Sequence, residues 1–187
     1  MTLNTRSDFG EFLKERDLLG SAAEVGVAAG QYSLEILRWG VEKLYMVDLW
    51  AHLPDGPGML KLDQAHHDEN YAQAMKRVGP YRDRVFVLRG LSTQMAMEVP
   101  QQSLDFLHID GAHDYDSVRE DLDYWYLRVK PGGIVSGHDY LNPNYGVRAA
   151  VDEFVWERGI RVHAIDTERD NGVHACFWFE KPADARE

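Results

Sequence analysis

The sequence predicts a three-layer α/β domain: a mostly parallel, Rossmann-like sheet between helices, ending in an antiparallel C-terminal strand pair. Three observations predict it. Short apolar runs alternate with amphipathic stretches from residue 21 to about 158, the order of parallel strands joined by helical crossovers. The last two apolar runs, RVHAID and VHACFWFEK, flank the turn-rich ERDNG, which reads as a hairpin. Polar residues also gather where the predicted strands end, where ligands bind in open α/β sheets.

The elements follow in order. Residues 6–19, RSDFGEFLKERDLL, carry Phe9, Phe12, Leu13 and Leu19 at roughly helical spacing. They predict an N-terminal helix, with residues 1–20 covering the sheet. Strand one is 21–26, its helix 31–39, and strand two 43–48. The segment Trp50 to His67 contains LPDGPGM, whose prolines and glycines predict a loop long enough to act as a lid. A helix over 68–78 ends at Gly79-Pro80. Strand three is VFVLRG, 85–90, followed by a short helix over 92–98. Strand four is SLDFLHID, 103–110, with a helix from 115 to 128. KPGG, 130–133, turns into strand five, GIVSGHD, and a helix covers 146–158. Trp39, Trp125 and Trp156 fall on predicted helices and read as core.

Composition narrows the function. The 187 residues suit one domain, 1–187, with a sizeable core. The formal net charge is -11 and no basic cluster offsets it, which argues against DNA or RNA as a partner. No apolar run spans a bilayer, and no signal-peptide pattern is found. The single cysteine, Cys176, lies in an apolar strand and reads as a buried thiol. These features suggest a cytoplasmic protein that does not engage membranes.

The chemistry begins at EVGVAAG, residues 24–30. Gly26 lets the chain turn sharply, and Gly30 lets the next helix approach the strand. Asp48 follows about 20 residues on, where a carboxylate accepts both ribose hydroxyls. Ala28 replaces the middle glycine of the dinucleotide fingerprint, and Glu24 stands inside the turn motif. A cofactor with an adenosine but no pyrophosphate fits these departures better than NAD, and S-adenosylmethionine is the candidate. Strand three ends at Arg89-Gly90-Leu91-Ser92, strand four at Asp110 and strand five at His138-Asp139. Asp48 and Asp110 read as ligand-binding, against the alternative that they cap the next helices.

HIDGAHDY and SGHDY place His-Asp pairs after two central strands. Asp110, His113, His138 and Asp139 can converge on one divalent ion, because carboxylate and imidazole suit Mn, Fe or Zn. The alternative is that the histidines hydrogen-bond within turns or touch cofactor or substrate. His52, His66 and His67 fall in the long loop and read as solvated, the alternative being that one of them reaches the acceptor pocket. Trp50 reads either as an adenine cover or as a core anchor.

With these residues in view, the chain resembles the class I S-adenosylmethionine-dependent methyltransferases, and most of all the bacterial branch known as methyltransferase domain 24. The resemblance rests on Asp110-Gly111-Ala112-His113-Asp114-Tyr115, Pro131-Gly132-Gly133, His138-Asp139-Tyr140 and GVRAAVDEF, 146–154. It covers residues 22 to 179. It implies that Glu24, Gly26 and Gly30 line the methionine part of the cofactor and that Asp48 binds the ribose. It also implies that Gly90, Leu91 and Ser92 hold the adenine. Metal-dependent relatives carry a metal-binding Asp at the position of Asp110. They carry an Asp-Asn or Asp-Asp pair after strand five, where this chain has His138-Asp139-Tyr140. That departure counts against Mg and leaves a softer metal, or none.

The resulting expectation is methyl transfer to a small molecule, at a hydroxyl oxygen. A metal at Asp110, His138 and Asp139 activates the hydroxyl, or Asp110, His113 or His138 takes its proton as general base. The rival readings are aminopropyl transfer, which lacks its extra N-terminal β domain here, NAD-dependent oxidoreduction, and a non-catalytic cofactor-binding module. A homodimer is the default assembly.

Overall fold

The computed structural model describes residues 2–56, 58–168 and 172–183. Its seven strands are β1 (Ser21–Val25), β2 (Lys43–Asp48), β3 (Val85–Arg89), β4 (Leu104–Ile109), β5 (Val129–Gly137), β6 (His163–Ile165) and β7 (Cys176–Glu180). They form one sheet in the order β3-β2-β1-β4-β5-β7-β6. The first five are parallel, and β7 is antiparallel to both β5 and β6. The expected fold class is borne out, and this is the class I methyltransferase topology. Most of ERDNG lies outside the described residues, but the pairing of Ile165 with Cys176 joins its flanking strands.

The strand order puts the site in the middle of the sheet. The chain steps outward from β1 to β3, then returns to lay β4 on the free side of β1. That reversal opens a crevice beyond the carboxyl ends of the central strands. The registers pair Val25 with Val47 and Ile109, and Ile109 with Gly137. The residues just after these four strands therefore lie side by side.

Each face of the sheet buries its own cluster, since successive strand side chains point to opposite faces. On one face Phe106, Leu44 and Met46 pack under α1 (Phe9–Lys14), α2 (Gln31–Trp39) and α3 (Gln64–Val78), with Phe9 and Ile36 filling the gap. On the other, Leu107, Ile109 and Phe177 meet Leu122, Trp125 and Phe154 of α5 (Tyr115–Tyr126) and α6 (Val147–Glu157). A short α4 (Ser92–Ala96) completes that layer. Among the described residues no helix is long and apolar enough to cross a membrane.

Several boundaries differ from the sequence reading. The N-terminal helix is a 3₁₀ turn, Arg6–Asp8, leading into α1, and it stops at Lys14. Asp17 takes a left-handed φ of 58°, and the Leu18 amide donates back to Leu13 O at 2.9 Å, so the chain turns off early. α3 starts at Gln64 because Asp63 caps it, accepting from the His66 amide at 2.9 Å. His66 and His67 are thus helical, and His67 is buried rather than solvated. KPGG lies within β5, where Gly132 at φ 79° absorbs a register shift against β4. Trp125 is core as expected, but Trp156 is 81% exposed because it faces outward on α6.

Candidate active site

The turn after β1 is held by backbone geometry. The Gly26 amide donates to Val47 O at 2.9 Å, and the Asp110 amide donates to Val25 O at 2.7 Å. Gly26 has φ 89°, and a Cβ there would lie 2.1 Å from Asp110 O. No side chain fits, because the end of β4 occupies the space. Ala28 is also left-handed, at φ 47°, a conformation that costs a non-glycine residue about 1–2 kcal/mol.

Asp48 secures that strained turn. Its Oδ2 accepts from the Ala28 amide and its Oδ1 from the Trp50 amide, each at 2.8 Å. The Trp50 indole closes the link, donating to Ala28 O at 2.8 Å. Trp50 is buried against Tyr71 and is a core anchor.

Glu24 is buried in β1, and its carboxylate accepts from the Ser33 hydroxyl. Burial pushes its carboxyl up to about 8 against that hydrogen bond, with the charges of Asp110 and Asp48 adding to the rise.

Beyond β4 and β5 a polar cluster forms. His113 Nε2 lies 2.9 Å from Asp139 Oδ2 and 3.7 Å from Asp110 Oδ1. His138 Nδ1 lies 3.4 Å from Asp139 Oδ1 and 3.9 Å from Asp110 Oδ1. His174 Nδ1 meets Asp139 Oδ1 at 3.0 Å, and its ring stacks on His138 at 5.6 Å. Asp139 is held in the left-handed region, at φ 57°, which aims its carboxylate into the cluster. Burial opposes ionisation of Asp139, but hydrogen bonds from His113, His138 and His174 outweigh it and hold the carboxyl far below its usual range. Hydrogen bonds to Asp110 and Asp139 push His113 up to about 9.

These parts line one cleft of about 1200 Å³. It contains Glu24, Gly26, Asp48, Gly90, Leu91, Ser92, Asp110, His113, His138 and Asp139 together. Gly30 is not among the lining residues. It caps α2 at φ 78°, and a Cβ there would meet Ala74 of α3 at 2.9 Å, so it serves helix packing.

Sequence reasoning missed two residues. His174 lies four residues before the middle of β7 and far from any motif. Antiparallel β7 starts where β5 ends, with Phe177 opposite Gly137, so His174 arrives beside His138. No local signal marks it. Asp121, on α5, also reaches the cleft. Nothing in the local sequence marks Asp121 either.

The donor set suits a divalent cation. Asp110, His113 and Asp139 form one group and His138, Asp139 and His174 another, with the ligand atoms of each within 4.8 Å of one another. His113 Nε2 is buried between the two carboxylates, 2.9 Å from Asp139 Oδ2 and 3.7 Å from Asp110 Oδ1. A ring nitrogen directed between two carboxylates in this way fits a shared ion.

The model of the Methyltransferase domain family, branch 24, matches residues 23–140. The chain belongs to that family, a branch of the class I S-adenosylmethionine-dependent methyltransferases. The uncharacterized protein y4gI of Sinorhizobium fredii is 26% identical over 121 residues, 63% of this chain; the chain spans only 13% of that protein's length. A Clostridium thermocellum protein described as an rRNA-methylase superposes with TM-score 0.69 at 13% identity, covering 97% of this chain and 99% of its own. The O-methyltransferase from Bacillus cereus, in complex with SAH, gives TM-score 0.66 at 15% identity, covering 97% and 83%. At these identities the two structures establish a shared fold.

Proposed function

We propose that the protein transfers the methyl group of S-adenosylmethionine to a hydroxyl oxygen of a small molecule. The observation that carries this reading is the junction of two halves in one cleft. The Glu24–Asp48 half suits an adenosine and an amino-acid tail, and the Asp110–His138 half suits a polar acceptor beside it. The cleft exceeds the roughly 300–1,000 Å³ usual for one ligand, which favours two molecules side by side.

In this reading Glu24 and Gly26 hold the methionine end and Asp48 takes the ribose hydroxyls. Gly90, Leu91 and Ser92 border the adenine. The acceptor oxygen approaches the sulfonium methyl in line with the departing sulfur, and fixing that geometry supplies much of the acceleration. The acceptor's proton needs a base. His113 is a poor one, since the two carboxylates keep its nitrogen protonated or a cation occupies it. Asp139 is held too acidic. The role falls to His138 or Asp110. Asp110, His113 and Asp139 would hold a divalent metal, or His138, Asp139 and His174 would, Asp139 being common to both sets. A bound metal would lower the pKa of a hydroxyl beside it. Leu53, Met59 and Leu60, from segment 50–63, border the same cleft and would cover the acceptor as a lid.

The net charge of -11 favours a small acceptor over RNA. The test is methyl transfer from labelled S-adenosylmethionine to a library of phenols, catechols, sugars and amines, with and without chelator. Label appearing on hydroxyl acceptors supports the reading. Label appearing only on amines, or on RNA, defeats it.

A further inference from the structure

Asp121 has no part in the chemistry above, yet it is a buried carboxyl, 5% exposed, that borders the cleft. Its place is well defined. The Trp125 indole, which can only donate, gives its proton to Ser92 Oγ at 2.8 Å. The Ser92 hydroxyl is therefore left to donate its own proton to the Asp121 carboxyl, which it hydrogen-bonds. Asp121 Oδ2 also lies against Gly111, where an added Cβ would sit 3.5 Å from it. The carboxyl thus stands at the edge of a slot bordered by Leu91, Ser92, Gly111 and Ala112. Leu91, an apolar side chain 46% exposed, offers that slot a flat-ring contact. Burying a carboxyl is costly unless a donor meets it. One Ser hydroxyl only partly offsets this, since burial still pushes Asp121 up to about 7.

We propose that Asp121 accepts a hydrogen bond from the exocyclic amine of the cofactor's adenine and so makes the slot select adenine over hypoxanthine. This rests on the S-adenosylmethionine reading above. The two bases have one shape. They differ at C6, where adenine carries an NH₂ donor and hypoxanthine an oxygen acceptor. An ionised carboxylate accepts and cannot donate, so it pairs with the first and repels the second. A site built around such a group rejects the mismatched analogue strongly, because its buried polar atom is left unpaired.

The experiment measures calorimetric affinities of S-adenosylhomocysteine and S-inosylhomocysteine at pH 8, for wild type and Asp121→Asn. Wild type should prefer the adenine ligand by about tenfold or more. Asp121→Asn should bind it roughly 10–100-fold more weakly and lose or reverse the preference, because the amide can donate to the hypoxanthine oxygen. If Asp121 is only a brace between α4 and α5, the variant weakens both ligands alike and keeps the wild-type ratio, which overturns the proposal. Equal wild-type affinities overturn it too, and that comparison needs no variant to fold. Wild type that binds neither ligand defeats the cofactor reading and this one with it, whereas tight but indiscriminate binding defeats this one alone.

Discussion

At the scale of single residues, the cleft is built from groups that serve the fold and the ligand at once. Both carboxylate oxygens of Asp48 already hold backbone amides. Each oxygen still has a lone pair for a ribose hydroxyl, so Asp48→Ala should weaken S-adenosylhomocysteine binding by about 1–3 kcal/mol. It should also lower the melting temperature, because the left-handed Ala28 loses its tether. Calorimetry on the folded variant, with a parallel thermal melt, checks both effects. Glu24 gives a pH signature. Its folded pKa of about 8 lies above the ordinary 4.5, so the folded state holds this proton more tightly than the unfolded state. The associated stability is complete below pH 4.5 and is lost as pH rises through 8. Glu24→Gln removes that titration. Between pH 6 and pH 9, urea unfolding should show wild type losing stability relative to the Gln variant. A constant difference would dismiss the assignment. Both residues stood out in the sequence, because the strand-turn-helix pattern around EVGVAAG names them. The ionisation behaviour of Glu24 did not, because it depends on burial under neighbouring elements.

At the scale of elements, the turn after β1 shows how tightly the parts interlock. Gly26 was legible as a residue that tolerates no side chain. The reason is the carbonyl of Asp110, which would stand 2.1 Å from a Cβ. Even Gly26→Ala should displace the end of β4 and with it Asp110. Left-handed strain alone costs about 1–2 kcal/mol, and the clash adds to it. The variant should melt several degrees lower and lose cofactor affinity, measured by scanning calorimetry and titration. A normal melt with normal affinity would show that β4 does not press on this turn. The helix boundaries were less legible. The apolar spacing of residues 6–19 continues past Lys14, but Asp17 adopts a left-handed turn that such spacing does not encode. The start of α3 at Gln64 had a local signal, the capping Asp63, which the prolines and glycines just before it obscured.

For the whole molecule, the decisive feature is the convergence of β4, β5 and the approach to β7 on one polar cluster. If it holds a cation, the folded state alone binds it tightly. A ligand at 100 times its Kd then adds about 2.7 kcal/mol of stability. Mn, Fe or Zn added to chelator-treated protein should raise the melting temperature, and Asp139→Asn, which alters the residue shared by both ligand groups, should abolish that rise. No shift with any of these ions would leave His113, held at about 9 by two carboxylates, as the neutralising charge. The sequence by itself determined the order of strands and helices, the glycine turn, and the acids that end β2 and β4, because periodicity and turn chemistry are local. It also carried the family, through motifs spread along most of the chain. Only the tertiary structure decided that β7 inserts between β5 and β6, that His174 and Asp121 join the cleft, and that Gly30 faces α3 instead. Those facts depend on which strands become neighbours across long stretches of chain, and a side chain's surroundings are fixed only when that packing is complete.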